Sequence, residues 1–489
     1  MVADHLHVLV YLWQPPVEQL AESSDPNQVG EKYLQTFSQG PLMRTQNQPK
    51  IDAMRTPWWL VGLATLLNIA WPIQHSIAAR NVLLAIILIA GVILWRRAQA
   101  KPMIPAVLRM PAKLFAILSI WLLVTVLLAD DKLNSLSQYR GEWLIATLAL
   151  LAGLLTGRLS TRSESGHAPV PLFTAIAFAL AIPSLLILGN AAIVLIKTRS
   201  LPIWDAPLLG RTAASQITNI LYGFLVADAL SRSRSKIRLL PLSNLALAMM
   251  SLLMLAVTYL LNTRNGTIGV LLLTVFAICI FILQQRARYN KARLMAGGVA
   301  AILLLGSFAR ISYEADNRWT AFGESIRIAF DTEHNKAWLD TDLPLPRMSN
   351  GQPVDHSAYM RLAWAKEGAL AIRDNPLGVG FGRNAFGHAM KRKYGRGSGH
   401  SHSSLIDFTL SGGIPGILLW LAFSATLISF GWKSYHKLGS PMGLALAITI
   451  AGTLVRMIID SNLRDHGLEQ YLFLLALLAT LTANEHKPT

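Results

Sequence analysis

Apolar segments of 17 or more residues recur along this chain from Trp58 onward, and they restrict its possible folds more than any other feature. Each segment is long enough to cross about 30 Å of hydrocarbon as a helix. Helices are expected because backbone inside a bilayer must satisfy its own hydrogen bonds. The predicted spans are residues 58–75, 78–95, 112–129, 141–157, 171–196, 211–230, 242–262, 266–284, 294–310, 403–430, 441–460 and 467–484. The sequence therefore predicts an all-α polytopic membrane protein with about twelve transmembrane helices.

Composition supports this class of protein. Only 15% of the residues are charged, whereas an average soluble domain carries about a quarter. The formal net charge is +17, but membrane proteins commonly collect Lys and Arg in their cytoplasmic loops, so we expect no nucleic-acid partner. The single cysteine, Cys279, lies in an apolar segment and permits neither an intrachain disulfide nor a cysteine-based metal site.

The basic connections predict the orientation of the chain. RRAQAKPMIPAVLRMPAK, SRSRSKIR and QQRARYNKAR follow the second, sixth and eighth spans and contain no acidic residue. All three fall on the side of the N-terminus, and basic loops are usually cytoplasmic, so both termini are predicted to be cytoplasmic. Residues 1–53 are predicted to be a weakly ordered cytoplasmic tail. Nine spans follow in 54–310, a large outer loop in 311–402 and three spans in 403–489.

The outer loop contradicts the usual charge bias, because residues 311–402 contain twelve Lys and Arg. The periodicity of AYMRLAWAKEGALAIRD predicts a helix that ends before Pro376, and GVGFG predicts a turn. One or two helices are expected to lie on the outer membrane face above a cavity. The apolar face of the main helix is predicted to comprise Leu362, Ala365, Ala369 and Ile372.

Three arginines are candidates for anion binding. Arg264 lies in LLNTRNGTIG, between two closely spaced spans, where an arginine needs a partner. Its guanidinium suits a pair of phosphate oxygens, although it could also snorkel to headgroups or serve the turn. Arg361 lies near Tyr359 on the loop helix, where simple solvation is the plainer interpretation. Arg211 begins the sixth span, and a cation in a first turn opposes the helix dipole, which favours a nearby anion.

Two histidines precede the tenth span. His400 and His402 can exchange protons near neutral pH and could act as bases toward a hydroxyl. Both could instead be structural, and no Cys, Asp or Glu cluster completes a metal site around them. Asp460, at the outer end of the eleventh span, could pair with any of the candidate arginines or with Arg464.

These segments together resemble the O-antigen ligase/polymerase superfamily. The resemblance rests on YMR from Tyr359, on DNPLGVGFGRNAF, on HSSLID from His402 and on GGIPG. TRNG at Arg264 and GRTAASQITN, with Arg211 and Asn219, match two further family segments. Ser403 stands where asparagine is commonest in the family. The similarity covers about residues 200–430.

The resemblance implies a periplasmic-face glycosyltransferase of the GT-C type in the bacterial inner membrane, with no metal or other cofactor. Its implied donor is an undecaprenyl-pyrophosphate-linked glycan, and its implied acceptor is a hydroxyl of the lipid A-core. Chain length favours the ligase; a polymerase, a protein O-oligosaccharyltransferase and a lipid-linked-sugar transporter are the alternatives. Transport is disfavoured because no internal repeat occurs and the charged candidates gather at the surface.

The resemblance also assigns roles to residues. His402 is expected to act as base or orienter of the acceptor, while Arg264 and Arg361 bind the pyrophosphate. Direct attack would invert the anomeric centre. Substrate contacts are predicted for Arg211, Tyr359, His400, Lys391, Arg392 and Asp460.

Overall fold

Sixteen α-helices follow one another in the part of the chain that the computed structural model describes. The described residues are 57–97, 102–160, 170–200, 209–286, 290–314, 322–340, 342–397 and 399–485. They belong to one unit, Ala53–Thr489, and the tail predicted for 1–53 lies outside them. The helices are α1 Trp58–Ala70, α2 Ile77–Arg97, α3 Arg109–Val126, α4 Lys132–Gln138, α5 Ile145–Leu159, α6 Pro171–Thr198, α7 Arg211–Ser235, α8 Asn244–Leu261, α9 Arg264–Gln285, α10 Lys291–Glu314, α11 Phe322–Phe330, α12 His356–Asp374, α13 Ala385–Tyr394, α14 Ser404–Leu438, α15 Pro441–Ile459 and α16 Asp465–Glu485.

Each predicted span coincides with a helix, and the all-α polytopic architecture is confirmed. Within the described residues, nine helical segments are long and apolar enough to cross a membrane; α4 and α5 form one of them, joined by a π-helical turn over Tyr139–Leu144. Helix α1 is shorter. Helices α7 and α16 carry more polar residues, and both are largely enclosed by neighbouring helices. This burial explains pairs such as Asp228 with Arg232, which lie 2.6 Å apart on α7.

Glycines allow the enclosed helices to approach closely. A Cβ at Gly153 of α5 would overlap the carbonyl oxygen of Phe473 on α16. One at Gly157, a turn later, would lie 2.9 Å from the Cβ of Thr480. Small residues at such spacing are typical of tightly packed membrane helices, since helix association in lipid depends on van der Waals contact.

Contacts of the connections occur at both ends of the helices. At one end, Arg158 donates to the Pro102 carbonyl and Arg234 to the His436 carbonyl. At the other end, the connection after α3 contacts α13, and the backbone N–H of Ser404 donates to the Asp460 carbonyl. We call this second end the loop end; it contains the described residues 129–131, 262–264, 331–403 and 460–464.

The described part of the long connection at the loop end contains three helices rather than the predicted one or two. Helices α11, α12 and α13 enclose a separate apolar core that includes Trp338, Tyr359, Trp364 and Phe386. The predicted apolar face of α12 was wrong in part. Ala369 is exposed, and Leu362, Ala365 and Ile372 are only partly buried. Because α12 contacts α11, α13 and α14, its buried surface is wider than one stripe and is centred on the Met360, Ala363 and Trp364 side.

The turn after α12 docks into a break in α14. Gly413 has φ 68° inside α14, so the helix does not continue its regular hydrogen bonding there. The N–H of Val379 donates to the Leu410 carbonyl, and the N–H of Ile414 donates to the Pro376 carbonyl, each over 2.8 Å. Helix α12 ends at Asp374, as the prediction from Pro376 requires. The NPLGVG and GGIPG segments are therefore structural partners, a relationship that the sequence did not predict.

Candidate active site at the loop end

Arg264 opens α9 and connects it to α12. Asn262 adopts a left-handed conformation with φ 44° and ends α8, and Thr263 then occupies the N-cap position of α9 without a side-chain capping hydrogen bond. The Nη2 of Arg264 lies 2.8 Å from the Oδ1 of Asp355, and both side chains are largely buried. The same Oδ1 accepts the backbone N–H of Ala358 and caps α12. This carboxylate therefore fixes the position of Arg264 relative to the first turn of α12.

Arg361 lies close to the same helix start. Its Nη1 donates to the Oδ1 of Asn265 over 3.3 Å, and the amide of Asn265 donates to the Ile459 carbonyl. Asn265 thereby links α9, α12 and α15. Asn265 was not among the candidates from the sequence, and its position directly after Arg264 was the available signal.

Arg211 contacts the turn that precedes Arg264. Its Nε donates to the Leu261 carbonyl over 2.7 Å, and its Nη2 donates to the Asn262 carbonyl over 2.6 Å. A cation at the C-terminal carbonyls of α8 is favourable for the dipole of that helix. The structure therefore brings Arg211 to the candidate site as a side chain that holds the α8–α9 turn.

The two histidines stack against the loop core. The ring of His402 lies parallel to Trp364, with centroids 5.3 Å apart and planes inclined by 13°. The ring of His400 follows at 4.2 Å. His402 has φ 57°, a left-handed conformation that is uncommon for a residue with a side chain and that costs energy.

Hydrogen bonds on both sides hold this backbone. The N–H of Ser401 donates to the Oδ1 of Asp407. The hydroxyl of Ser403 accepts the N–H of Ile406 as the cap of α14 and donates to the Met457 carbonyl. A short hydroxyl is suited to a helix cap, so Ser403 has a structural function at the position where it departs from the family pattern.

The surroundings keep both histidines neutral. Burial lowers the pKa of His402; the cationic Arg361 and Arg464 add to this effect, and Asp460 opposes it. Burial, Arg464 and His402 lower the pKa of His400 to about 3. A neutral imidazole can accept a proton, so His402 has the protonation state that a base requires near pH 7.

Asp460 pairs with Arg456 and not with the partners that the sequence suggested. Its Oδ2 accepts hydrogen bonds of 2.9 and 2.8 Å from Nε and Nη2 of Arg456, and both side chains are buried. Arg456 lies one turn earlier on α15, so the pair has the i, i+4 spacing of a helix. The expected pairing with Arg211, Arg264, Arg361 or Arg464 was wrong.

The remaining predicted contacts lie apart from the arginine cluster. Tyr359 is fully buried, its hydroxyl donates to the Asn335 carbonyl, and burial raises the pKa of Tyr359 to about 12. Lys391 and Arg392 line a cleft of about 410 Å³ beside α4. Arg392 binds both carboxylate oxygens of Asp130 at 2.5 Å and lowers its pKa.

An apolar groove runs along α7, α9 and α15. It has a volume of about 410 Å³ and is lined mainly by aliphatic side chains and Phe276. Its polar wall includes Asn265, Arg456 and Asn462. The groove therefore extends from hydrocarbon-like surroundings to the residue that Arg361 contacts. Among the described residues, no group of three or more His, Cys, Asp or Glu side chains is placed to hold a metal ion.

Comparison with known proteins gives one family match, over part of the chain. Residues 249–421 match the family model described as O-antigen ligase. No curated protein matches the chain. The matched segment runs from α8 to the part of α14 beyond its break, and it contains Arg264, Arg361 and His402. This match, over about a third of the chain, supports membership of the O-antigen ligase/polymerase superfamily.

Proposed function

We propose that this protein is a GT-C-type glycosyltransferase of the bacterial inner membrane that transfers a glycan from undecaprenyl pyrophosphate to a hydroxyl of the lipid A-core. The observation that carries the proposal is the contact between Arg361 and Asn265 at the polar wall of the apolar groove. Arg264 adjoins Asn265 in the chain, and His402 is close enough to Arg361 for its charge to act on the imidazole. The arginines can thus bind the anion of a lipid-linked donor at the same place where His402 contacts the incoming hydroxyl.

The groove suits the isoprenoid part of the donor. Its aliphatic lining excludes water, and its volume accommodates several isoprene units of a longer chain. A tail lying along α9 would bring its pyrophosphate to the helix start at Arg264. Helix N-termini favour phosphate because their backbone N–H groups and dipole attract anions. This arrangement gives the donor an orientation with the scissile bond at the loop end.

The two arginines would stabilise the leaving group. As the bond between the sugar and the pyrophosphate oxygen breaks, negative charge grows on that oxygen. Cations that are fixed before the reaction stabilise this charge more than the ground state, which lowers the barrier. Asp355 fixes Arg264 and Asn265 fixes Arg361. Arg211 acts through the α8–α9 turn and is assigned a positioning function.

His402 would accept the proton of the attacking hydroxyl. The acceptor oxygen bonds to the anomeric carbon, undecaprenyl pyrophosphate leaves, and the proton passes to the neutral imidazole. General base catalysis of this kind contributes about 10²–10⁴-fold. A single displacement inverts the anomeric centre. The face that bears the loop end is then periplasmic, with both termini in the cytoplasm.

The test is a transfer assay with purified protein in detergent, lipid-linked glycan and lipid A-core, with product size read on a gel. A discrete addition to lipid A-core, absent with His402→Ala, is the expected result. A ladder that grows on the lipid carrier would instead identify a polymerase. Absence of any product from folded wild-type protein would reject the transferase proposal. That outcome would favour the transporter, because transport yields no transfer product in detergent.

A further inference from the structure

A small, partly open void lies beside the start of α14, next to the segment that carries the two histidines. It has a volume of about 30 Å³ and is bounded by the π-helical turn, the 381–383 segment, α14 and the α15–α16 connection. Four charged side chains line it: Glu142, Arg383, Asp407 and Arg464. None of them was singled out as a site residue from the sequence. Glu142 and Asp407 are buried, and buried ionisable groups in membrane proteins are rare and commonly functional, because burying their charge is costly.

Two of these side chains present unsatisfied polar atoms at the void. Asp407 is 6% exposed; its Oδ1 accepts the N–H of Ser401, and its Oδ2 has no hydrogen-bond partner among the described residues. The Nε of Arg464 is likewise buried without one in that part of the chain. Leaving such atoms unsatisfied costs about 1–3 kcal/mol each, and more when they are charged. A residue with a free acceptor and a residue with a free donor, of opposite charge, therefore border the same small void.

The void is large enough to resolve this deficit. One water needs about 10–15 Å³ of accessible volume and two or more polar partners. Asp407 Oδ2 and Arg464 Nε provide an acceptor and a donor, and the hydroxyls of Ser404 and Ser411 border the same space. A bridging water would tie the first turn of α14 to the α15–α16 connection.

We propose that Asp407 and Arg464 form a pair of positioning residues that is bridged by a water. The pair fixes the His400–His402 backbone and determines the electrostatic potential at the ring of His402. Asp407 holds the backbone through Ser401, directly before His402. Arg464 supplies the positive charge, and Asp407 tempers it from across the void. The catalytic consequence rests on the proposed base function of His402, whereas the positioning itself does not.

The electrostatic effect can be separated from that of other groups. His402 faces Arg361 on α12, Asp460 after α15, Arg464 in the α15–α16 connection and His400 in its own segment. Arg464 also acts on His400, whose pKa it lowers together with burial. Removal of the Arg464 charge should therefore raise the pKa of both histidines, and removal of the Asp407 charge should lower it.

The test measures the histidines without any substrate. Diethyl pyrocarbonate acylates neutral imidazole, so its rate against pH gives the midpoint for each histidine when modified peptides are sequenced by mass spectrometry. In full-length protein, Arg464→Gln should raise the His402 midpoint by about half to one pH unit, which corresponds to about a three- to tenfold change in the ratio of its protonation states. Arg464→Lys, which keeps the charge, should stay near wild type. Arg373→Gln removes an exposed cation on α12 and serves as the control.

Asp407 variants test the other half of the pair. Asp407→Asn retains an acceptor for Ser401 and should lower the His402 midpoint, whereas Asp407→Ala frees the segment and should accelerate acylation at pH 7 several-fold. Equal midpoints in wild type, Arg464→Gln and Asp407→Asn would overturn the proposal. If Arg464→Gln fails to purify as a folded protein, the Asp407→Asn midpoint decides. If the transfer assay gives no product while these midpoint shifts are observed, the proposed reaction is rejected, and the proposal that Asp407 and Arg464 position the histidines is still supported.

Discussion

Arg361 donates to the side-chain oxygen of Asn265 across 3.3 Å, and this contact joins the loop helix α12 to the first turn of the membrane helix α9. Beside it, Arg264 from α9 pairs with Asp355, which caps α12. The same two helices thus hold each other through reciprocal contacts of the two candidate arginines. A substitution at either contact is expected to alter the separation of the cations as well as the charge of one.

Asp355 is expected to be important for stability. Asp355→Asn keeps an acceptor for the α12 cap but removes the carboxylate charge that pairs with the buried Arg264, a change that costs about 3–5 kcal/mol in buried pairs. Asp355→Ala should cost about 1 kcal/mol more, because the cap is also lost. Thermal unfolding of detergent-purified protein measures both. Glu314→Gln breaks the exposed Arg310–Glu314 pair and should have no effect; an equal loss in this control would contradict the assignment.

The sequence predicted the membrane fold because burial in lipid requires long apolar helices. Each such helix is recognisable from its own stretch of residues, without knowledge of its neighbours. It also predicted the end of α12 and the turn at GVGFG. It could not predict that this turn fills a break in α14, since both hydrogen bonds join residues distant in the chain. The buried face of α12 was misjudged for a related reason, because three neighbouring helices cover it.

The sequence indicated candidate residues, but it did not indicate which side chains contact one another. Arg264 became a candidate through its position between two closely spaced spans, whereas Arg361 and His402 became candidates mainly through the family motifs. Asn265 and Asp407 were missed because short polar residues near helix starts commonly serve as caps or turns. The Arg456–Asp460 pair was visible as an i, i+4 spacing, but Arg456 lay within a predicted span and was not considered.

Transfer should depend on His402 in a pH-dependent way. His402→Ala should reduce transfer about 10²-fold or more while donor binding persists. Because burial lowers the pKa of His402, its imidazole should become protonated only below pH 6.5, the ordinary value for histidine. Activity should therefore fall only as pH decreases through that lowered pKa. The rate of transfer against pH measures this, and a limb at or above pH 7 would contradict the assignment.

His400 should not contribute a second limb, because its pKa is about 3 and it stays neutral over the assay range. His400→Gln is thus a matched control: its pH profile should keep the shape of the wild type even if substrate affinity changes.

The apolar groove can be tested by filling it. Gly452 borders the groove on α15, where an added Cβ would lie 3.9 Å from Leu273. Gly452→Leu should raise the KM for a long-chain isoprenoid donor about tenfold or more. The leucine would block contacts of the isoprenoid tail, and a tenfold change corresponds to about 1.4 kcal/mol of binding free energy. Short-chain donors should be less affected.

Gly298→Leu is the matched control, because Gly298 borders a different apolar cavity between α9 and α10 with a Cβ contact of 3.7 Å. Equal effects of the two variants on the donor KM would argue against the groove as the donor site.

The break in α14 should be sensitive to glycine replacement. Gly413→Ala places a Cβ at φ 68° and against the backbone of Leu377, so both strain and overlap oppose it. The thermal midpoint and the transfer rate should both fall. Gly189→Ala in α6, which has open space around it, should be neutral or stabilising by up to about 1 kcal/mol. Wild-type behaviour of Gly413→Ala would show that the turn is not seated in the break as described.

Glu367 should make the stability of the loop core pH-dependent. Burial by itself would raise the pKa of this carboxyl, but hydrogen bonds from Thr332, Tyr394 and Lys393 outweigh burial and lower it. A lowered carboxyl pKa adds stability above the unfolded value, near pH 4.3, and this contribution is lost as pH falls through the folded pKa.

Glu367→Gln should therefore destabilise the protein by about 1–3 kcal/mol at pH 7 and by progressively less toward pH 3. The measurement is limited proteolysis of the loop region, or thermal unfolding, at both pH values. Glu333→Gln alters an exposed carboxylate of the same region and should leave both unchanged. If the Glu367→Gln difference were the same at pH 7 and pH 3, the ionised carboxylate would not be the stabilising species.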